Sequence, residues 1–260
     1  MRGILRIIWL LALPPALASA AELTADQVRD VLLQAGPGAP ANLAGKDLSR
    51  LDLSNLDFKQ ANLAGANLFG AKLVGANLSG AHLAGANLDA AWIIRANFTK
   101  ANLSNAHMFG PVVYSGLDVR PAEAPNFAGA DLSGARIIAR LSRVNLSGCN
   151  FARAQMGVDM KNQPMGQMRV DLSGANLDGA NFGGADLNRA VLAFAKLRHA
   201  RLDGANLMGA DLSGADLTGA DLANADFTDA DLKEAILKEV KGLDAARGLD
   251  RARNREKAVY

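Results

Sequence analysis

The sequence predicts a solenoid whose chain turns a corner every five residues, and three observations carry that reading. First, from Ala41 to Gly110 and again from Val170 to Glu239 the chain reads in fives without slipping, 14 units in each block. Across both blocks the third residue is Leu 22 times and the first is Ala 24 times. Second, neither regular element produces that fidelity. Five residues of α-helix rotate about 500°, which walks around the helix and marks no face, and a flat strand alternates with period two. Third, the interior on offer is small: hydrophobic residues are 50% of the chain but aromatics only 5%. Ala, Leu and Gly suit a thin structure with repeated narrow positions.

In chain order, the first segment is a separate object. Arg2 and Arg6 precede an uncharged apolar run from Ile7 to Ala18, and Ala18-Ser19-Ala20 ends it with small residues. This is a secretory leader pattern over 1–20, with cleavage expected after Ala20. The run is short and Pro14-Pro15 interrupts it, so no stable membrane span is expected after cleavage. An uncleaved anchor is the competing reading. Residues 21–40 follow as a cap and linker. Thr24 with Gln27 three residues on resembles a capping box, so a helix to about Ala35 is expected, stopped by Gly36 and Pro37.

The repeat itself comes next. Ala61-Asn62-Leu63-Ala64-Gly65, Ala66-Asn67-Leu68-Phe69-Gly70 and Ala210-Asp211-Leu212-Ser213-Gly214 are typical units. They resemble the pentapeptide-repeat family, whose motif is A-(N/D)-L-x-x. The resemblance implies an all-β solenoid over 41–239, a right-handed quadrilateral β-helix with four units and 20 residues per coil. It also implies that the first and third residues point inward and the others outward. Lys46, at a nominally inward position, then reads as loosened register in the first coil. Outward charges 20 apart should stack: Asp52 with Lys72, Lys196 with Asp216, and Arg201 with Asp221 and Lys241.

Between the long blocks the repeat slips. Arg140-Leu141-Ser142-Arg143 reads as a unit one residue short. Residues 111–124 and 159–169 fit no unit and carry Pro111, Pro121 and Pro164, so both are expected to be loops leaving the wall. That leaves 35 units, about 8.75 coils and a rod on the order of 40 Å long. Open ends of a β-helix need covering. At 240–260 the repeat gives way to Leu243, Ala246, Leu249 and Ala252 among charges, which reads as a helical or turn cap broken at Gly248.

Chemistry is sparse. There is no GxSxG, Walker A, HExxH or CxxC, so neither an enzyme nor a cofactor is expected, and the regular Asp spacing follows from the repeat. His82, His107 and His199 are too scattered along the repeat to share a metal. Cys149, the only cysteine, takes an Ala position and reads as a small wall residue. Met160, Met165 and Met168 in the second loop offer thioethers for copper, while Met156 falls at a core position. Lys plus Arg number 28 against 26 Asp plus Glu, and losing Arg2 and Arg6 leaves a neutral chain. Neutrality and a leader argue against nucleic-acid binding and against a DNA-mimicking topoisomerase protector, the main alternative within the family.

Neutrality hides an uneven distribution. Residues 120–169 hold seven Lys and Arg against three acidic groups, and 203–231 hold seven Asp with no Lys or Arg. Both loops leave the basic stretch, on adjoining sides roughly 8 Å apart along the axis. The expectation is a non-enzymatic protein-interaction scaffold outside the cytoplasm. An anionic or acidic partner, with a protein expected, would contact Arg136, Arg140, Arg143 and Arg153, and a homodimer is left open.

Overall fold

The computed structural model describes residues 22–36, 38–158 and 169–260. The expected leader at 1–20, and Met160, Met165 and Met168, lie outside the described residues. Among the described residues there is one α-helix, α1 (Ala25–Gln34), and one short parallel pair, β1 (His107–Phe109) and β2 (Arg136–Ile138). Nearly everything else is a ladder of single parallel bridges, and most link second-position residues 20 apart, beginning with Asn42↔Asn62. Four such ladders run along the rod. They define a first face through Asn42, a second through Asp47, a third through Asp52 and a fourth through Asp57.

The motif follows from where each backbone N–H goes. The first N–H closes the corner behind it, as Ala66 donates to the Leu63 carbonyl at 3.0 Å. The second donates one coil back, Asn62 to Ala41 at 2.8 Å. The third and fifth donate one coil forward, Leu43 to Asn62 at 2.7 Å and Gly45 to Ala64 at 2.8 Å. Only the fourth has no backbone partner, and the second residue's side chain supplies one: Ala64 N–H donates to Asn62 Oδ1 at 3.1 Å. Asn or Asp is therefore favoured locally, as an Asx turn, although Lys72, His82, Trp92 and Val191 also hold the position. Where His107 and Lys196 replace it, an Asp one coil back substitutes. Phe109 N–H donates to Asp89 Oδ1 at 2.7 Å and Arg198 N–H to Asp178 Oδ1 at 3.1 Å.

The core is the stacked first and third positions, with Leu and Ala side chains almost wholly buried throughout both blocks. Phe98 stacks on Phe127 at 4.7 Å and Phe151 on Phe182 at 4.8 Å between ring centroids. Each stack spans an interruption of the repeat, so the core runs on across both. Cys149 is buried in this wall and its thiol donates to the Phe127 carbonyl at 3.0 Å. Burial pushes its thiol up to about 12, against hydrogen bonds from the Ala130 and Gly129 backbone, so it stays protonated and unreactive.

Away from the two interruptions, where Ser115 and Val158 depart from it, the fifth residue turns the corner at positive φ, as a type II turn requires. Sixteen of these corners are not glycine, among them Arg50, Asn55, Arg143, Phe194 and His199. The left-handed side chain leans onto the next coil's corner. A Cβ on Gly75 would sit 2.6 Å from Asn55 Oδ1, and one on Gly214 would sit 2.5 Å from the Phe194 ring. No two stacked fifth-position corners both carry a side chain in this region of φ.

Three expectations about the wall are corrected. Pro111–Ser115 is not loop: Val112 bridges Trp92 and Val113 is buried, so it forms a full unit and the loop is 116–124. The short unit is Ala135–Ile138, because Ala139 is buried and its carbonyl accepts from Asp171 as a first-position residue does. The C-terminal segment is a further coil. Lys241, Arg247, Arg253 and Val259 bridge Asp221, Asp226, Asp231 and Ile236, with corners enlarged by 3-10 turns at Leu243–Ala245 and Arg255–Lys257. The ladder from Asn42 to Lys241 thus passes through ten coils, roughly 43 Å at the strand spacing.

At the other end, Thr24 and Gln27 form a reciprocal capping box on α1, whose Val28 is buried against the core. Lys46 is exposed and pairs with Glu22 at 3.1 Å, and Leu51 and Leu56 pack partly buried beside the helix. These three departures from first-position Ala all fall in the coil that meets a helix instead of another coil. Lys46 marks that junction; its register is regular, with Asn67 N–H donating to its carbonyl.

Candidate binding face at the middle of the rod

Both interruptions flank the third face. Residues 116–124 leave between Val112 on the third face and Asn126 on the fourth. The second interruption falls between Gln155 on the second face and Asp171 on the third. The third-face ladder is broken between them: Trp92↔Val112 and Arg140↔Asp171 are bridged, whereas Val112 and Arg140 are not. Side chains fill the gap. Tyr114, buried, donates its hydroxyl to the Ser142 carbonyl, and Ser142 Oγ donates to Asp171 Oδ2 at 2.6 Å. Burial raises the Tyr114 phenol, opposed by Arg140 and Arg143. Asp171 is held below its ordinary value although burial opposes this; Ser142, Ser173 and Arg140 outweigh it. This brace was invisible in the sequence because Pro111-Val112-Val113-Tyr114-Ser115 lacks both Ala and Asn at the motif positions.

The first loop is clasped at its base. Glu123 accepts from the Ser115 N–H at 2.7 Å and its hydroxyl at 2.9 Å, and the Glu123 carbonyl accepts from Arg95 N–H at 2.7 Å. Hydrogen bonds from the Ser115 N–H, then its hydroxyl, hold the Glu123 carboxyl below its ordinary value. Leu117 at the loop tip is 88% exposed.

Arg136, Arg140, Arg143 and Arg153 are all exposed, and no ion pair within 4 Å involves them among the described residues. The structure groups only part of the set. Arg136 and Arg140 sit in one coil on either side of the corner between the second and third faces. Arg143 occupies the next corner, beside Tyr114, and Arg153 lies one coil on, at the corner between the first and second faces. Sequence reasoning missed the aromatic neighbours Trp92 and Phe109, 43% and 45% exposed. Their signal was present: Trp92 stands where Asn or Asp belongs. Among the described residues no cluster of three or more His, Cys, Asp or Glu could hold a metal, and no helix is long and apolar enough to cross a membrane.

The family profile for pentapeptide repeats matches in eight copies, over residues 41–70, 61–99, 71–108, 168–204 and 205–241. The chain belongs to the pentapeptide-repeat family. Pentapeptide-repeat proteins are also found among solved structures similar to it. HetL, involved in heterocyst differentiation regulation in the cyanobacterium Nostoc sp. strain PCC 7120, is 26% identical; the match covers 86% of this chain and 94% of HetL, with a TM-score of 0.33. QnrB1, a plasmid-mediated fluoroquinolone resistance protein, is 18% identical over 77% of this chain and 83% of its own, with a TM-score of 0.35. Rfr23 from the cyanobacterium Cyanothece 51142 is 28% identical over 46% of this chain and 90% of its own, with a TM-score of 0.26. A search of the curated proteins returned no match.

Proposed function

We propose that this pentapeptide-repeat chain is an exported, non-enzymatic scaffold that docks an acidic protein partner on the second and third faces of its middle coils. One observation carries the reading: Arg136 and Arg140 flank a single corner, exposed and without an ion pair among the described residues, one face away from the corner where the clasped loop leaves. Exposed cations without an ion pair, on a rigid scaffold that also carries a loop one face away, are where binding usually sits. The leader at 1–20 supports an address outside the cytoplasm. A quadruple Arg→Gln variant at 136, 140, 143 and 153 removes the charges without setting a carboxylate against Asp171, the bridge partner of Arg140, and tests the site. It should keep its melting temperature and lose crosslinked partners in the exported fraction. Unchanged partners from a folded variant would place the site elsewhere. Cell fractionation tests the address, and a protein retained in the cytoplasm would sink it.

A further inference from the structure

Coil five departs from the repeat at one corner, where Ala135–Ile138 lacks a fifth residue. There the chain straightens into β2, which pairs with β1 as His107↔Arg136, Met108↔Ile137 and Phe109↔Ile138. In the coil before it, Phe109 and Val112 sit on either side of Gly110-Pro111, and Val112 bridges Trp92. Register therefore gathers Trp92, Val112, Phe109 and Ile138 around one corner of the second and third faces. Trp92 and Phe109 are exposed, and Val112 and Ile138 are half-buried. Arg136 precedes Ile138 in β2, and Arg140 continues the third face after Val112.

We infer that this corner is an anchor site for a protein segment that places an aromatic or aliphatic side chain on Trp92 and Phe109 with acidic residues toward Arg136 and Arg140. The inference rests on the acidic-partner reading and adds its apolar half. Isolated exposed apolar residues on a soluble protein need no explanation, whereas four gathered by register beneath two exposed cations that make no ion pair within 4 Å among the described residues match the anatomy of an interface centre. Trp and Arg are the residues that most often dominate such centres. The cations select the occupant: a neutral apolar surface would leave both guanidinium groups to be desolvated without a partner, whereas carboxylates meet them with charge-assisted hydrogen bonds.

Trp92 is its own reporter, because a Trp9→Phe chain keeps no other indole. Three probes are titrated: an Asp-Gly peptide with one central Phe, its Ala twin, and a polyuronic acid. The Phe peptide should shift Trp92 emission to the blue and bind at least tenfold tighter than its twin, weakening as salt rises. By calorimetry, Phe109→Ser should lose that advantage. Ser already fills the same position at Ser79 and Ser104, so folding is preserved. Phe194→Ser, an exposed aromatic elsewhere, should change nothing. Equal binding of the two peptides overturns the anchor while leaving the basic face standing. Binding of the polyuronic acid without the peptides assigns the corner to glycans and overturns the inference. No binding by any probe overturns the inference and the acidic-partner reading together.

Discussion

The fourth face from Asn77 to Asn176 and the coils around Asp211 to Asp231 share one motif and the same in-turn bonds, and they differ in how neighbouring coils are linked. On the fourth face the second-position side chains link coils: Asn97 donates to Asn77 Oδ1 at 3.2 Å, and Asn145 to Asn126 at 3.1 Å. A carboxylate accepts but cannot donate, so Asp can only receive such a rung. In the acidic coils each Asp keeps the in-turn bonds that Asn97 and Asn145 also make, with no amide to donate to the neighbouring coil. Ser213 Oγ donates to Asp211 and Thr218 Oγ1 to Asp216, each at 2.6 Å. Asp211 and Asp231 are stacked bridge partners of like charge, an unfavourable pairing. The final coil answers this. Asn254 donates to Asp231 at 2.9 Å, Arg251 approaches Asp229 at 3.4 Å, and Arg253 lies 4.0 Å from Asp231. The same backbone is thus held between coils by amides in the middle and by a basic final coil at the C-terminal end.

The core should be indifferent to that contrast. Phe98→Ala and Phe227→Ala are each expected to cost about 3–5 kcal/mol in denaturant titration. A large difference between them would mean that the two regions also pack differently. Next in size, Gly242→Ala puts a methyl 2.7 Å from the Ala223 backbone, which cannot yield as a side chain could. It should destabilise by about 2–3 kcal/mol through overpacking and a strained φ. Gly179→Ala meets nothing within 4 Å and should cost only the left-handed penalty of about 1–2 kcal/mol. Equal losses would show that the final coil is not firmly seated.

Smaller again, Asn145→Asp replaces an inter-coil donor with a charge and should cost about 1–2 kcal/mol. Asp216→Asn, set between Lys196 and Ile236 on its ladder and 3.6 Å from Arg198 at the surface, should cost no more than about 1 kcal/mol. The smallest effect is acid sensitivity. The Ser54 hydroxyl, then its N–H, holds the Asp52 carboxyl below its ordinary value, and Thr228 does the same for Asp226. Folded values below unfolded ones stabilise the rod above about pH 4, and that contribution is lost as pH falls through the folded values. Hydrogen exchange in acid should therefore rise first in the Asp-bearing first and ninth coils and last along the Asn ladder. Uniform exchange would remove the distinction.

Much of the rod could be read from residues because the constraint is local. A first-position Ala and third-position Leu face the axis wherever they occur, and stacking 20 apart follows: Asp52 bridges Lys72, Lys196 bridges Asp216, and Arg201, Asp221 and Lys241 share a column. The expected ion pairs were less faithful than the register. Only Lys72 reaches its partner, at 3.5 Å, while Arg201 turns to Asp203 in its own unit. Errors gathered where a unit keeps its backbone but loses its letters. Pro111–Ser115 bridges without Ala or Asn, Ala139 could end one unit or begin the next, and the final coil hides behind widened corners. The candidate face was half legible: its arginines stood out by charge, whereas its aromatics depend on a straightened corner that no single unit announces.

The corner pattern sets the grain of what the rod can display. A side chain at a left-handed corner occupies the space above the next one, so a corner column can be inscribed only on alternate coils, roughly 9.6 Å apart. The flat faces carry a side chain on every coil. A partner reading along a corner therefore meets a comb with wide teeth, and one reading along a face meets a line of text at half that pitch. Loss of the fifth residue beside Arg136 removes one tooth, and there a corner can be read as though it were a face.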